Sequence, residues 1–79
     1  MLYSQRYERL KQVLREVRVD AQLTQTQLAS RLGKKQGYVS KIEVGERHLS
    51  FMDFIEWCEA CNVDPSEVVR KFNGVDKIL

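Results

Sequence analysis

The sequence predicts an all-α domain of five short helices, and three observations carry that expectation. Apolar residues recur at three- and four-residue steps, while β-branched residues are too scattered to build a sheet. Helix-start signals stand at Thr24, Ser50 and Asp64-Pro65. Residues suited to a left-handed helix end follow the periodic stretches at Gly33, Gly45 and Asn62.

The first helix is expected from near Ser4 to Asp20, with Tyr7, Leu10, Leu14 and Val17 on one face. Thr24 opens the second as an N-cap, and Gln27, three positions on, completes a capping box. Leu28, Ala29 and Leu32 give it an apolar face before Gly33 ends it. The third runs from Gln36 to Val44, with only Val39 and Ile42 plainly apolar, and stops at Gly45. A helix this short does not stand alone in water, so its polar face needs a reason other than stability. Recognition is that reason. Ser50, with Asp53 three residues later, opens the fourth helix and places Phe51, Phe54, Ile55, Cys58 and Cys61 inward, ending at Asn62. The fifth is expected from Pro65 to Phe72, closed by Asn73-Gly74, with a tail that carries Val75, Ile78 and Leu79.

At 79 residues the chain is expected to form one domain, 1–79, with a core over about 4–73. Its 43% hydrophobic and 30% charged residues suit a small globule and exclude a disordered chain. A core of this size gains from a partner subunit. Neither a membrane-length apolar run nor a secretory leader is visible, so a cytoplasmic protein with no membrane partner is expected.

The net charge of +2 conceals an uneven distribution. Residues 1–48 hold ten Lys/Arg against five Asp/Glu, whereas residues 49–79 hold three against six. Arg31, Lys34, Lys35, Lys41 and Arg47 gather in or beside the second and third helices. Asp53, Glu56, Glu59, Asp64 and Glu67 are expected to face away from them. Placement of positive charge, more than its sum, marks a nucleic-acid surface.

Gln36, at the start of the third helix, has the amide donor and acceptor that match N7 and the 6-amino group of adenine. Ser40 and Lys41, a turn further, face the same side, and Gly37 allows close backbone approach without reading a base. Lys34, Lys35 and Arg47 sit in the flanking turns, as partners for phosphate. Tyr38 either gives its hydroxyl to a phosphate or packs its ring on the second helix.

Catalysis has little support, and an enzyme is not expected: no glycine-rich phosphate loop, paired carboxylates or activated nucleophile is present. Cys58 and Cys61 have C-x-x-C spacing, but a zinc site wants four ligands and His48 is the one other soft candidate. They lie mid-helix, away from the N-terminus that activates a redox thiol, and read as small buried hydrophobes. No metal, cofactor or small-molecule ligand is expected.

The segment Leu23–Ser50 resembles the helix-turn-helix of phage repressors and Cro-like regulators, the Xre family. Leu23-Thr24-Gln25, Leu28-Ala29, Leu32-Gly33, Val39-Ser40, Ile42-Glu43, Gly45 and Arg47 carry the resemblance. Tyr38-Val39-Ser40 is similar to the turn of restriction–modification controller proteins. The match extends to Leu14–Arg18 and Ser50–Val63, with departures at Lys35, where Ser, Thr or Pro is common, and Val44, where Arg or Asn is common. It implies a compact five-helix lambda-repressor-like fold with the helix-turn-helix at helices two and three.

The resemblance implies a sequence-specific, double-stranded DNA-binding regulator acting as a homodimer on a palindromic operator. Gln36, Ser40 and Lys41 would read bases, while Gln25, Lys34, Lys35, Tyr38 and Arg47 would hold phosphates. Arg18 and Glu43 match the family's structural ion pair. Val69, Phe72, Val75, Ile78 and Leu79 exceed what so small a core absorbs and are expected at the dimer interface. Two rival functions share the fold: an antitoxin that also blocks a toxin, and a protein-interaction adaptor without DNA binding.

Overall fold

Capping chemistry divides the chain into helices α1 (Gln5–Asp20), α2 (Gln25–Leu32), α3 (Gln36–Val44), α4 (Phe51–Ala60) and α5 (Pro65–Asp76). The structure, a computed structural model, describes the backbone of residues 5–76 and the side chains of residues 5–74. Among the described residues there is no strand.

Both expected capping boxes form. The Thr24 hydroxyl accepts from the Gln27 amide while Gln27 reaches back to the Thr24 amide, and Ser50 and Asp53 do the same for α4. Gly33 and Gly45 close α2 and α3 in left-handed geometry, at φ 70° and 89°. Asn62 takes the same region at φ 59° after α4. Gln22, between α1 and α2, is left-handed at φ 63° although no glycine or asparagine marks that turn.

Helix α1 packs on α3 and α5, α2 on α3 and α4, and α4 on α5. Leu14, Leu28, Val39, Ile42, Trp57 and Cys58 form the fully buried centre. Trp57 Nε1 donates to the Leu14 carbonyl at 3.2 Å, so the largest core side chain leaves no orphan polar group. Arg31, counted above with the basic cluster, points elsewhere: its Nη1 donates to the Ala60 carbonyl at 2.7 Å and caps the end of α4.

Two expectations need correction. Phe51 is 74% exposed, because the inward stripe of α4 runs through Phe54, Trp57, Cys58 and Cys61, and a residue at the helix's first position overhangs its end. Helix α5 does not stop at Phe72 but continues to Asp76, since neither Asn73 nor Gly74 turns left-handed. Phe72 itself is half-buried against the core, with the Arg6 and Arg9 guanidinium carbons 5.1 and 5.9 Å from its ring centre. The Val75 side chain, Ile78 and Leu79 lie outside the described residues.

A β-carbon at Gly33 meets no atom, whereas one at Gly45 falls 2.9 Å from Lys11 Nζ, the free end of a flexible side chain. Gly33→Ala and Gly45→Ala should therefore each cost about 1–2 kcal/mol, the strain of a left-handed L-residue. Chemical denaturation of the two variants checks this, and a cost near zero at either position contradicts it.

Candidate nucleic-acid interface

Val39 and Ile42 are fully buried and hold α3 against α1 and α2. Helical geometry then places Gly37, Ser40, Lys41 and Val44 on the opposite, outer face, with Gln36, three residues before Val39, on the flank it shares with Glu43. Gln36, Lys41 and Val44 are exposed; Ser40 is half-buried, its hydroxyl turned toward the Gly37 carbonyl. At the N-cap of α3, Lys35 makes no side-chain cap, and the Tyr38 amide donates to its carbonyl at 2.9 Å.

A hydrogen-bonded chain runs from the interior to this face. Arg18 grips Glu43 with two donors, Nε to Oε2 at 2.7 Å and Nη2 to Oε1 at 3.1 Å. Its third arm, Nη1, donates to the Leu23 carbonyl at 2.8 Å. One guanidinium thus ties α1 to α3 and to the residue before α2's cap. The pair is nearly closed to solvent, with side chains 10% and 6% exposed. Gln25 Nε2 donates to Glu43 Oε1 at 3.0 Å, and Gln36 Nε2 donates to Gln25 Oε1 at 2.9 Å. Among the described residues, every buried side-chain polar atom is matched.

The basic residues of the flanking turns are organised by one ring. Lys34 Nζ and Arg47 Cζ lie 5.3 and 5.0 Å from the Tyr38 ring centre. Cation–π attraction holds both charges beside α3. The Tyr38 ring packs on the core, with its hydroxyl near the Asp53 carboxylate. Burial, reinforced by that carboxylate, pushes the Tyr38 hydroxyl up to about 12. Asp53 therefore does not face away from the basic cluster: it sits within it, also feeling Arg47. The Ser50 backbone amide, which donates to Asp53 Oδ2 at 3.1 Å, is the main cause that holds its carboxyl below the ordinary value. No sequence signal joined Asp53 to Tyr38, because the capping box already explained the aspartate.

The structure thus joins Gln25 and Gln36 to the Arg18–Glu43 pair, sets Lys34 and Arg47 on the Tyr38 ring as a second group, and leaves Lys35 and Lys41 exposed. Val69 stands apart from it on α5, 45% exposed. His48 is exposed, edge-on to the Tyr7 ring at 5.7 Å. Cys58 and Cys61 are buried free thiols; burial raises Cys58 to about 11 and Cys61 in the same direction, the environment of inert thiols. Among the described residues no cluster of His, Cys, Asp and Glu could hold a metal ion. None of their helices is long and apolar enough to cross a membrane.

A short polar helix exposed beside a glycine turn, on a five-helix scaffold, defines a helix-turn-helix protein. The helix-turn-helix family profile matches residues 14–68. Among solved structures the chain is similar to an XRE-family like protein from Pseudomonas syringae pv. tomato str. DC3000, at 38% identity and a TM-score of 0.83. That match covers 89% of this chain and 85% of the other. No curated protein matches it. The chain belongs to the XRE family of helix-turn-helix, DNA-binding transcription regulators.

Removing one member of a buried ion pair strands the other. Arg18→Met and Glu43→Leu should each cost about 3–5 kcal/mol, and the double variant less than their sum. Urea unfolding of the three variants measures this; additive costs would show that the pair is not coupled. Asp53 contributes through a depressed carboxyl, so its stabilisation is present above the ordinary value of 3.8 and disappears as pH falls through the lower folded value. The stability difference between wild type and Asp53→Asn should therefore shrink as thermal melts are moved from neutral pH to below the carboxylate range.

Proposed function

We propose that this protein is a sequence-specific, double-stranded DNA-binding regulator that acts as a homodimer on a palindromic operator. The observation that carries the reading is the amide of Gln36, exposed at the start of α3 and held by Gln25, on a helix whose other flank carries Lys34 and Arg47 on the Tyr38 ring. In this reading α3 enters the major groove with Gln36, Ser40 and Lys41 at the bases. Lys34, Lys35, Arg47 and the N-terminal end of α2 at Gln25 meet the phosphates. With Lys34 and Arg47 both on its ring, the part of Tyr38 is to hold them in place.

Two such helices about 34 Å apart would match half-sites one helical turn apart. An apolar groove between α1, α4 and α5, lined by Leu10, Leu49, Phe54, Val68 and Phe72, supports a dimer contact there, with Phe51 and Val69 standing exposed on its rim. Val69→Glu should then yield a monomer in analytical ultracentrifugation at tens of micromolar protein, where wild type is a dimer. A monomeric wild type counts against the homodimer.

Titrating a labelled duplex from upstream of the chain's own gene, at two salt concentrations, tests the DNA reading. Each neutralised phosphate should add about 0.9 to the log–log salt slope. Gln36→Ala should cost about 1–3 kcal/mol of binding and leave the thermal midpoint unchanged. Gly37 lies within α3, and a β-carbon there would meet nothing within 4 Å, so Gly37→Ala should stabilise the fold by about 0.5–1 kcal/mol. If the backbone approaches DNA there, the same methyl weakens binding. Full affinity in both variants would place the reading face elsewhere.

A further inference from the structure

One side chain of α3 does not match the polar face that carries it. Val39 and Ile42 are fully buried, whereas Val44 is 59% exposed. It follows Gly37 by seven residues, Ser40 by four and Lys41 by three, so it continues the outer face. A helical side chain leans toward the helix N-terminus and covers the turn before its own Cα. The Val44 methyl groups therefore lie over Ser40 and Lys41, within the outward face and not beyond its end. Gly45 then takes φ 89° and ends the helix, its amide donating back to the Ile42 carbonyl.

On that face Val44 is the one apolar side chain. Gly37 has none, the Ser40 hydroxyl turns back to the Gly37 carbonyl at 3.5 Å, and Lys41 brings an ammonium. A valine has no hydrogen bond to offer a phosphate or the donors and acceptors of a base edge. The major groove holds one apolar group against which it can leave water, the 5-methyl of thymine. We propose that Val44 is a specificity-determining residue that packs on the 5-methyl group of a thymine and so reads that base through burial, without a hydrogen bond. The inference rests on α3 being the DNA-reading helix, whose outer face Val44 extends. It assigns Val44 a role in telling bases apart, where a phosphate contact would contribute affinity alone.

The test begins with selection and sequencing from a library of duplexes with a randomised core, which gives the wild-type motif. Each thymine of the selected duplex is then replaced by uracil, one position at a time, which removes the methyl and keeps the O4 acceptor and the pairing with adenine. Wild type should lose about four-fold in affinity at one such position, the transfer of one buried methyl group. Val44→Ala should bind the thymine duplex several-fold more weakly and suffer no further loss from uracil at that position, with the rest of its selected motif kept. Val44→Ile, which retains a branched apolar end, should keep the penalty for uracil there. Neither a general loosening of α3 nor a phosphate contact couples one side chain to one methyl group in this way. Val44 is exposed, and thermal melts verify that both variants are folded. A motif without thymine, a wild type indifferent to uracil at every position, or the same uracil penalties in Val44→Ala as in wild type overturns the methyl contact and leaves the DNA reading intact. No enriched motif for wild type overturns both.

Discussion

The bidentate grip of Arg18 on Glu43 is the interaction on which the rest of this structure depends. Helix α3 has nine residues, fewer than the roughly 12–15 at which an isolated helix becomes even marginal. Two buried aliphatic side chains, Val39 and Ile42, set which face turns inward. They are non-directional and leave the helix free to slide or roll. The guanidinium removes that freedom, because its planar fork matches the carboxylate in one orientation, and its third bond secures the turn before α2. Such a pair contributes little net stability compared with an apolar replacement of similar volume. Its contribution here is positional.

The core is arranged to make that positioning rigid. Trp57, fully buried on α4, satisfies its indole N–H on the Leu14 carbonyl of α1, about one turn from Arg18. Arg31 closes the far end of α4 from α2. Helices α1, α2 and α4 thereby form a platform joined by directional bonds as well as by apolar contact, and α3 rests on it with its polar side outward. The buried half of the domain specifies geometry, and the exposed half presents it.

Charge follows the same division, with one exception that is informative. Cations flank α3, and acids are concentrated later in the chain. Asp53 breaks the pattern by lying among the cations, where it caps α4 and lies near the Tyr38 hydroxyl. A single carboxylate thus links the start of α4 to the ring that carries Lys34 and Arg47.

Helix boundaries were legible in the chain because they are local. A capping serine or threonine, the acceptor three residues on, and a glycine at the end act through bonds spanning a few residues, and Thr24, Gly33, Gly45 and Ser50 all behave as their chemistry requires. The failures share a cause. Phe51 overhangs the end of α4, Asn73-Gly74 is absorbed into α5, and Gln22 turns left-handed, each at a residue whose type fits more than one local conformation. Residue types at helical spacing also located the polar face of α3 and the cations beside it. Only the tertiary structure decided how they are arranged: Gln25 bonded to both Glu43 and Gln36, and Tyr38 set near Asp53, across separations of 18, 11 and 15 residues that no periodicity connects. A hydrogen-bonded network belongs to the assembled chain of donors and acceptors, and no residue carries it alone.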